Sequence, residues 1–169
     1  MAPERKKEYL EALQKKILEI TEEAVVDENV NGYICRAAFM TLREGRGLAF
    51  FESQIVDVWE DMPALSIRAI PEFVIADDCM DEAVKMVTQM GLCTPLGMLG
   101  VHYESRHIFW RLTLPVDVNK SPEEFAAETI VMYEKVAIQL GTFYDALERV
   151  ATGQSKFADE VEAGKLIDQ

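Results

Sequence analysis

Apolar residues recur at steps of three and four near the start of the chain. Over residues 4–24 the repeating positions are Leu10, Leu13, Ile17, Ile20 and Ala24. This spacing places them on one side of a helix. The pattern therefore predicts an amphipathic helix over 4–24 that is stabilised by packing, either on its own chain or on a partner.

A longer stripe of the same kind runs through residues 121–152. Ser121, Pro122 and Glu124 provide an N-cap, a first-turn proline and the acid of a capping box. Gly153 provides a residue that readily ends a helix in the left-handed conformation. A single long helix is therefore predicted over 121–152.

The middle of the chain alternates between apolar and polar positions or carries short apolar runs. Over residues 30–75 this pattern predicts three antiparallel strands, with a turn at 43–47 between two of them. The last of the three strands includes Leu65, Ile67 and Ala69, which alternate with polar residues.

A second helix and a hairpin are predicted beyond this region. Residues 78–90 regain helical spacing, with Asp77 or Asp78 as the N-cap and Gly91 as the left-handed stop. Residues 96–116 alternate again and predict a hairpin. Its return strand is expected to bear Ile108, Trp110, Leu112 and Leu114 on one face and Phe109, Arg111 and Thr113 on the other.

Together these elements predict a single α+β domain over residues 1–154. Its order is α-βββ-α-ββ-α, and its antiparallel sheet of about five strands has the helices packed on one face. The tail, residues 155–169, is expected to form a short amphipathic helix or to fray.

Charge narrows the classes of partner. The chain has 30 acidic and 17 basic residues and a formal net charge of −13. Nucleic acids and anionic membranes require a basic surface, so we expect neither as a partner. The first residues are charged rather than apolar, no stretch is apolar enough to span a membrane, and the three cysteines are scattered. A cytoplasmic location is therefore expected.

Residues that carry chemistry are sparse. His102 and His107 face each other if the hairpin turns at Glu104–Ser105, but no motif supplies a third metal ligand. Motifs for a serine nucleophile, a phosphate-binding loop, a zinc protease or an EF-hand are missing from the sequence. We therefore expect no enzyme activity, no cofactor and no metal.

Four residues are candidates for contacting a partner. Arg68 and Arg111 interrupt apolar strand patterns, so each guanidinium either serves the fold or contacts a partner on an exposed sheet face. Phe109 shares the face of Arg111. Trp59 is either an exposed anchor or part of the core.

Several segments taken in order resemble a known family. They are Met86–Gly97, Gly100–Ser105, Ile108–Pro115, Ser121–Phe125 and Phe143–Val150. This succession resembles the YbjN-type domain, whose fold is similar to that of bacterial type III secretion chaperones. The resemblance implies an α/β sandwich, a homodimer and the binding of a protein or peptide client without a cofactor.

The function expected from these observations is a non-catalytic protein-binding module, chaperone-like or regulatory, that acts as a homodimer. A second copy would meet either the free face of the sheet or the stripe of the long helix. The alternative is a small ligand-binding protein or enzyme with an internal pocket lined by Met98, Tyr103 and Trp110. A structural subunit of a larger assembly is a third interpretation.

Overall fold

A computed structural model describes residues 1–41, 47–59 and 62–163, with only the backbone of Trp59 and Cys93. Four helices and six strands follow one another in these residues. In chain order they are α1 (Pro3–Ile17), β1 (Ala24–Asn29), β2 (Gly32–Met40), β3 (Leu48–Trp59), β4 (Met62–Pro71), α2 (Met80–Cys93), β5 (Met98–His102), β6 (His107–Pro115), α3 (Pro122–Ala151) and α4 (Phe157–Glu162).

All six strands belong to one open antiparallel sheet with the order β1-β2-β3-β4-β6-β5. The first four strands are consecutive neighbours. Helix α2 then carries the chain across, so that β5 forms an edge and β6 pairs with β4. The prediction of an α+β fold with an antiparallel sheet is confirmed, but four strands precede α2 where three were expected.

The helices cover one face of this sheet. Burial alternates along the central strands, and the buried positions, such as Phe51, Ile67 and Trp110, belong to one core that also contains the apolar sides of α1, α2 and α3. The Tyr133 ring of α3 lies 5.4 Å from that of Phe51. None of the four described helices covers the other face of the sheet.

The first helix is shorter than the sequence predicts. It ends at Ile17, and Ala24, expected on the helical stripe, begins β1 instead. Ile20 has the spacing of the stripe but is exposed. The missed signal is the β-branched pair Val25–Val26, which precedes an Asn-Gly turn of the kind that joins two strands.

The second helix also differs at both ends from the prediction. Its N-cap is Cys79, without a side-chain cap hydrogen bond, rather than Asp77 or Asp78. Gly91 lies inside the helix and is not left-handed. The predicted turn at 43–47 lies, except for Gly47, outside the described residues.

The long helix has the ends that its sequence predicts. Ser121 accepts a hydrogen bond from the backbone N–H of Glu124, whose carboxylate accepts one from Ser121 in return. At the other end Gly153 has a φ of 77°, and the backbone N–H groups of Gly153 and Gln154 return to the carbonyls of Val150 and Arg149. This pair of bonds is a Schellman motif.

Helix α4 packs against the rest of the fold. Glu160, which is buried, accepts two hydrogen bonds from Arg149 of α3, at 2.9 and 2.7 Å. The backbone N–H of Phe157 also donates to Glu82 of α2. No helix among the described residues is long and apolar enough to cross a membrane.

Candidate functional site

The helix-free face of the sheet, called the open face below, exposes large apolar side chains. Phe50 of β3 is 47% exposed, Met40 of β2 is 56% exposed, and Met98 of β5 is 53% exposed. A two-layer fold needs only one face of its sheet for the core. The open face is therefore a surface that the fold leaves available for binding.

A row of charges crosses the middle of this face. Arg36, Glu52, Arg68 and Arg111 occupy paired positions on four neighbouring strands. Glu52 accepts from Arg36 at 3.3 Å and from Arg68 at 2.6 Å, and Arg36 also pairs with Asp27 at 3.1 Å. Arg111 is exposed and has no ion-pair partner among the described residues. Within the described part of the chain, the row therefore ends in a positive charge that has no ion-pair partner.

Two clefts lie on either side of Arg68 and Arg111, which line both. The smaller, of about 240 Å³, contains Glu52. The larger, of about 450 Å³, is called the basic cleft below. It is lined by the polar side chains of Arg68, Arg111, His102, Ser105 and His107 and by the apolar side chains of Phe50, Ile70 and Phe109.

The two histidines of the chain both belong to the basic cleft. His102 and His107 are paired across the β5–β6 hairpin, as the sequence predicts, although the loop has four residues rather than two. Ser105 lies 3.2 Å through its backbone N–H, and 2.9 Å through its hydroxyl, from Nδ1 of His102. Among the described residues, no group of three His, Cys, Asp or Glu side chains is arranged to hold a metal ion.

Three of the four candidate contact residues come together on the open face. Arg68 and Arg111 are paired across β4 and β6, and Phe109 lies two residues from Arg111 on the same side of β6. Trp59 lies at the end of β3, away from this group, and its side chain is outside the description.

Phe50, Ile70 and Glu52 complete the surface and were not expected there from sequence. Alternation along β3 would have put Phe50 and Glu52 on one face. Which face that is, and that Ile70 lies opposite Phe50, depends on the register of three strands.

The internal pocket of the alternative hypothesis is not formed by the residues proposed for it. Trp110 is buried on the helix side of the sheet, whereas Met98 pairs with Arg111 and is exposed on the open face. Tyr103 is exposed in the hairpin loop. The prediction that these three line one pocket is therefore wrong.

The side chains with the largest upward pKa shifts lie away from the open face. Burial raises the pKa of the Cys35 thiol to about 12 and that of the Tyr144 phenol to about 12. Burial, reinforced by Asp78, also raises the pKa of Cys79. These groups are protonated at neutral pH, and a buried thiol in that state is a weak nucleophile.

Comparison with known proteins adds no family to this description. No protein-family model matches the sequence, and no curated protein matches it either.

Proposed function

We propose that this chain is a non-catalytic binding module, chaperone-like or regulatory, that captures another protein or a peptide on the open face of its sheet. The observation that carries the proposal is Phe50, half exposed beside Ile70 and Phe109 on a face that none of the described helices covers. Covering a half-exposed phenylalanine contributes up to about 1.5 kcal/mol of binding free energy.

A binding role suits the chemistry of this face better than catalysis does. Its polar groups are arginines, histidines and a glutamate held by two of those arginines. The described ionisable side chains with large upward pKa shifts are the thiol of Cys35 and the phenols of Tyr133 and Tyr144, on the helix side of the sheet. An enzyme site usually brings a perturbed acid or base into a cleft.

The resemblance to the YbjN-type domain and to type III secretion chaperones supports the proposal by analogy, because it concerns the order of helices and strands. A first helix, an antiparallel sheet, a second helix, a hairpin and a long helix follow one another in this chain. The resemblance is a pattern of elements and not a catalytic signature, and it implies a protein or peptide client.

We include a homodimer in the proposal, with one of its two candidate surfaces favoured. The apolar stripe of α3, including Tyr133, Leu140 and Leu147, is buried within its own chain. Val25 of β1 and Met40 of β2 are about half exposed on the open face. A second copy would therefore cover the β1–β2 end of that face, and light scattering on eluted protein measures the resulting mass.

The proposed function is tested by capture from the native host with matched variants. Phe50→Asp places a charge on the open face, whereas Ile138→Asp places the same charge on the exposed side of α3. We expect wild type and Ile138→Asp to retain the same clients after crosslinking and Phe50→Asp to lose them, with unchanged melting of all three. Equal capture by Phe50→Asp would contradict the proposal.

A further inference from the structure

The basic cleft differs in charge from the molecule that contains it. The chain carries 30 acidic and 17 basic residues. The described lining of this cleft nevertheless has two arginines, two histidines and no carboxylate. Net charge favours basic partners for the protein as a whole. At this cleft the local chemistry favours an anionic group instead.

Arg111 is the strongest anion-binding group in the cleft. A guanidinium has five N–H donors and matches a carboxylate in a two-bond geometry. The Cα partner of Arg111 across the sheet is Arg68, a second cation. Arg68 is held by Glu52 at 2.6 Å, while Arg111 has no carboxylate partner among the described residues. A carboxylate beside both guanidiniums would compensate the excess charge.

The rim of the cleft is held in place by contacts outside it. Arg106 lies in the hairpin loop, and its carbonyl accepts a hydrogen bond from the backbone N–H of Ile75 at 2.8 Å. The guanidinium of Arg106 pairs with Asp77. The backbone N–H of Ser105 donates a hydrogen bond to Nδ1 of His102, and the Ser105 hydroxyl is also hydrogen-bonded to this atom. A neutral imidazole with an acceptor Nδ1 carries its proton on Nε2, so His102 retains one further donor.

Apolar side chains line the cleft beside the arginines. The Phe109 ring lies directly against Gly100, where any side chain would collide with it. Phe50 and Ile70 are paired across β3 and β4. Phe109 and Arg111 are two residues apart on one strand, which puts them about 7 Å apart on the same face. An extended segment repeats its side chains at the same interval.

We propose that the basic cleft binds an extended peptide segment in which an Asp or Glu lies two residues from a large apolar side chain. The carboxylate pairs with Arg111, beside Arg68, and the apolar side chain packs on Phe109 and Phe50. This inference rests on the proposed function, because it specifies the chemistry of the client on the same face. The argument for this occupant is charge complementarity, because the described lining of the cleft has cations and no carboxylate in an acidic protein.

Selection from a display library of random dodecapeptides tests the inference. Wild type, Arg111→Gln and Arg36→Gln are used as baits, since Arg36 lies in the same row of charges but outside the basic cleft. We expect wild type and Arg36→Gln to enrich peptides with an acid two positions from Phe, Leu, Ile or Met. Arg111→Gln should bind the enriched peptides at least about tenfold more weakly.

Histidine resonances give a second, local readout. His102 and His107 are the two histidines of the chain, and both line the cleft. In protein labelled on histidine alone, an enriched peptide should therefore shift both ring signals. A twin peptide with Gln in place of the acid should need about tenfold more concentration for the same shift.

Several outcomes would overturn the inference, and they separate it from the proposed function. If the enriched peptides lack acids, or if Arg111→Gln enriches the same acidic peptides, the pairing of a carboxylate with Arg111 is rejected. The proposal that the open face binds a peptide would still stand. If the histidine signals shift on self-association and do not shift with peptide, the basic cleft binds a second copy of the chain instead of a peptide. No enrichment by any bait, together with no client captured from the host, would reject both.

Discussion

Arg68 and Arg111 are paired across strands β4 and β6, and of these two guanidiniums only that of Arg68 has a carboxylate partner within the described residues. Two like charges in adjacent positions of a sheet repel each other. Glu52, between Arg36 and Arg68, compensates part of that repulsion and does not reach Arg111 in the observed pairs. An exposed arginine that has no carboxylate partner among the described residues is expected where the side chain binds another molecule.

The first prediction concerns the stability of variants at this pair. Arg111→Gln should leave the free energy of unfolding within about 0.5 kcal/mol of wild type, because no ion pair is lost. Arg68→Gln should lower it by less than about 1 kcal/mol, because its half-exposed pair with Glu52 is screened by solvent. Urea denaturation measures both. A loss above about 2 kcal/mol for Arg111→Gln would make that residue structural instead.

The second prediction compares two glycines inside helices. A Cβ at Gly141 of α3 would collide with the backbone carbonyl of Thr41, whereas a Cβ at Gly91 of α2 would meet nothing within 4 Å. Gly141→Ala should therefore destabilise the protein by about 1–3 kcal/mol through overpacking. Gly91→Ala should stabilise it by about 0.4–1 kcal/mol, because alanine restricts the unfolded chain and favours helix.

Thermal melting of the two alanine variants, with wild type as the reference, measures this contrast. The substitution is chemically identical at the two positions and both positions are helical. Opposite signs are therefore expected because only the Cβ at Gly141 meets a neighbouring group. A stabilised Gly141→Ala would show that α3 does not approach Thr41 as closely as described.

These glycines also show where sequence predicts structure and where it does not. The ends of α3 are predictable because a capping box and a left-handed glycine are local signals. Gly91 carries the same local signal as a helix stop, yet α2 continues to Cys93. Strand β1 is hidden because Ile20 and Ala24 continue the helical spacing by coincidence, although Ile20 is exposed.

Some residues of the candidate site are also predictable from the sequence, whereas others are not. Phe109 and Arg111 are predictable on one face because alternation along a single strand is a local property. That Phe50 and Ile70 join them depends on pairing between distant parts of the chain. Register is selected by burial of the whole sheet and by turn geometry, so no short segment of sequence contains it.

The third prediction concerns a polar pair inside the core. Tyr133 of α3 and Ser53 of β3 are both buried, and their hydroxyls are hydrogen-bonded to each other. Burial raises the pKa of Tyr133, as expected for a phenol that stays neutral. Tyr133→Phe should cost about 1–3 kcal/mol of stability, because it leaves the Ser53 hydroxyl buried without its partner.

A double-mutant cycle separates this hydrogen bond from the packing around it. Adding Ser53→Ala to Tyr133→Phe removes the unpaired hydroxyl, so the double variant should be more stable than Tyr133→Phe alone. Urea denaturation of the four proteins gives the coupling energy. Additive losses would mean that the two hydroxyls do not interact.

The fourth prediction is a pH dependence from the capping box of α3. Hydrogen bonds from the Ser121 backbone N–H, at 2.9 Å, and from the Ser121 side chain hold the pKa of Glu124 below its ordinary value of 4.5. A carboxyl whose pKa is lower in the folded state stabilises folding above the unfolded pKa. The stabilisation is therefore complete above about pH 4.5 and is lost as the pH falls through the lower, folded value.

Glu124→Gln keeps an acceptor at the cap but removes the titrating charge. We expect wild type to be the more stable protein at pH 7 and the difference to shrink steadily as the pH falls below 4.5. Glu123→Gln removes a charge from the same helical turn without touching the bond to Ser121, so it isolates the helix-dipole contribution. Melting temperatures across this range measure both variants. A gap between wild type and Glu124→Gln that stays constant with pH, or that matches the gap for Glu123→Gln, would show that the carboxylate does not act through the cap.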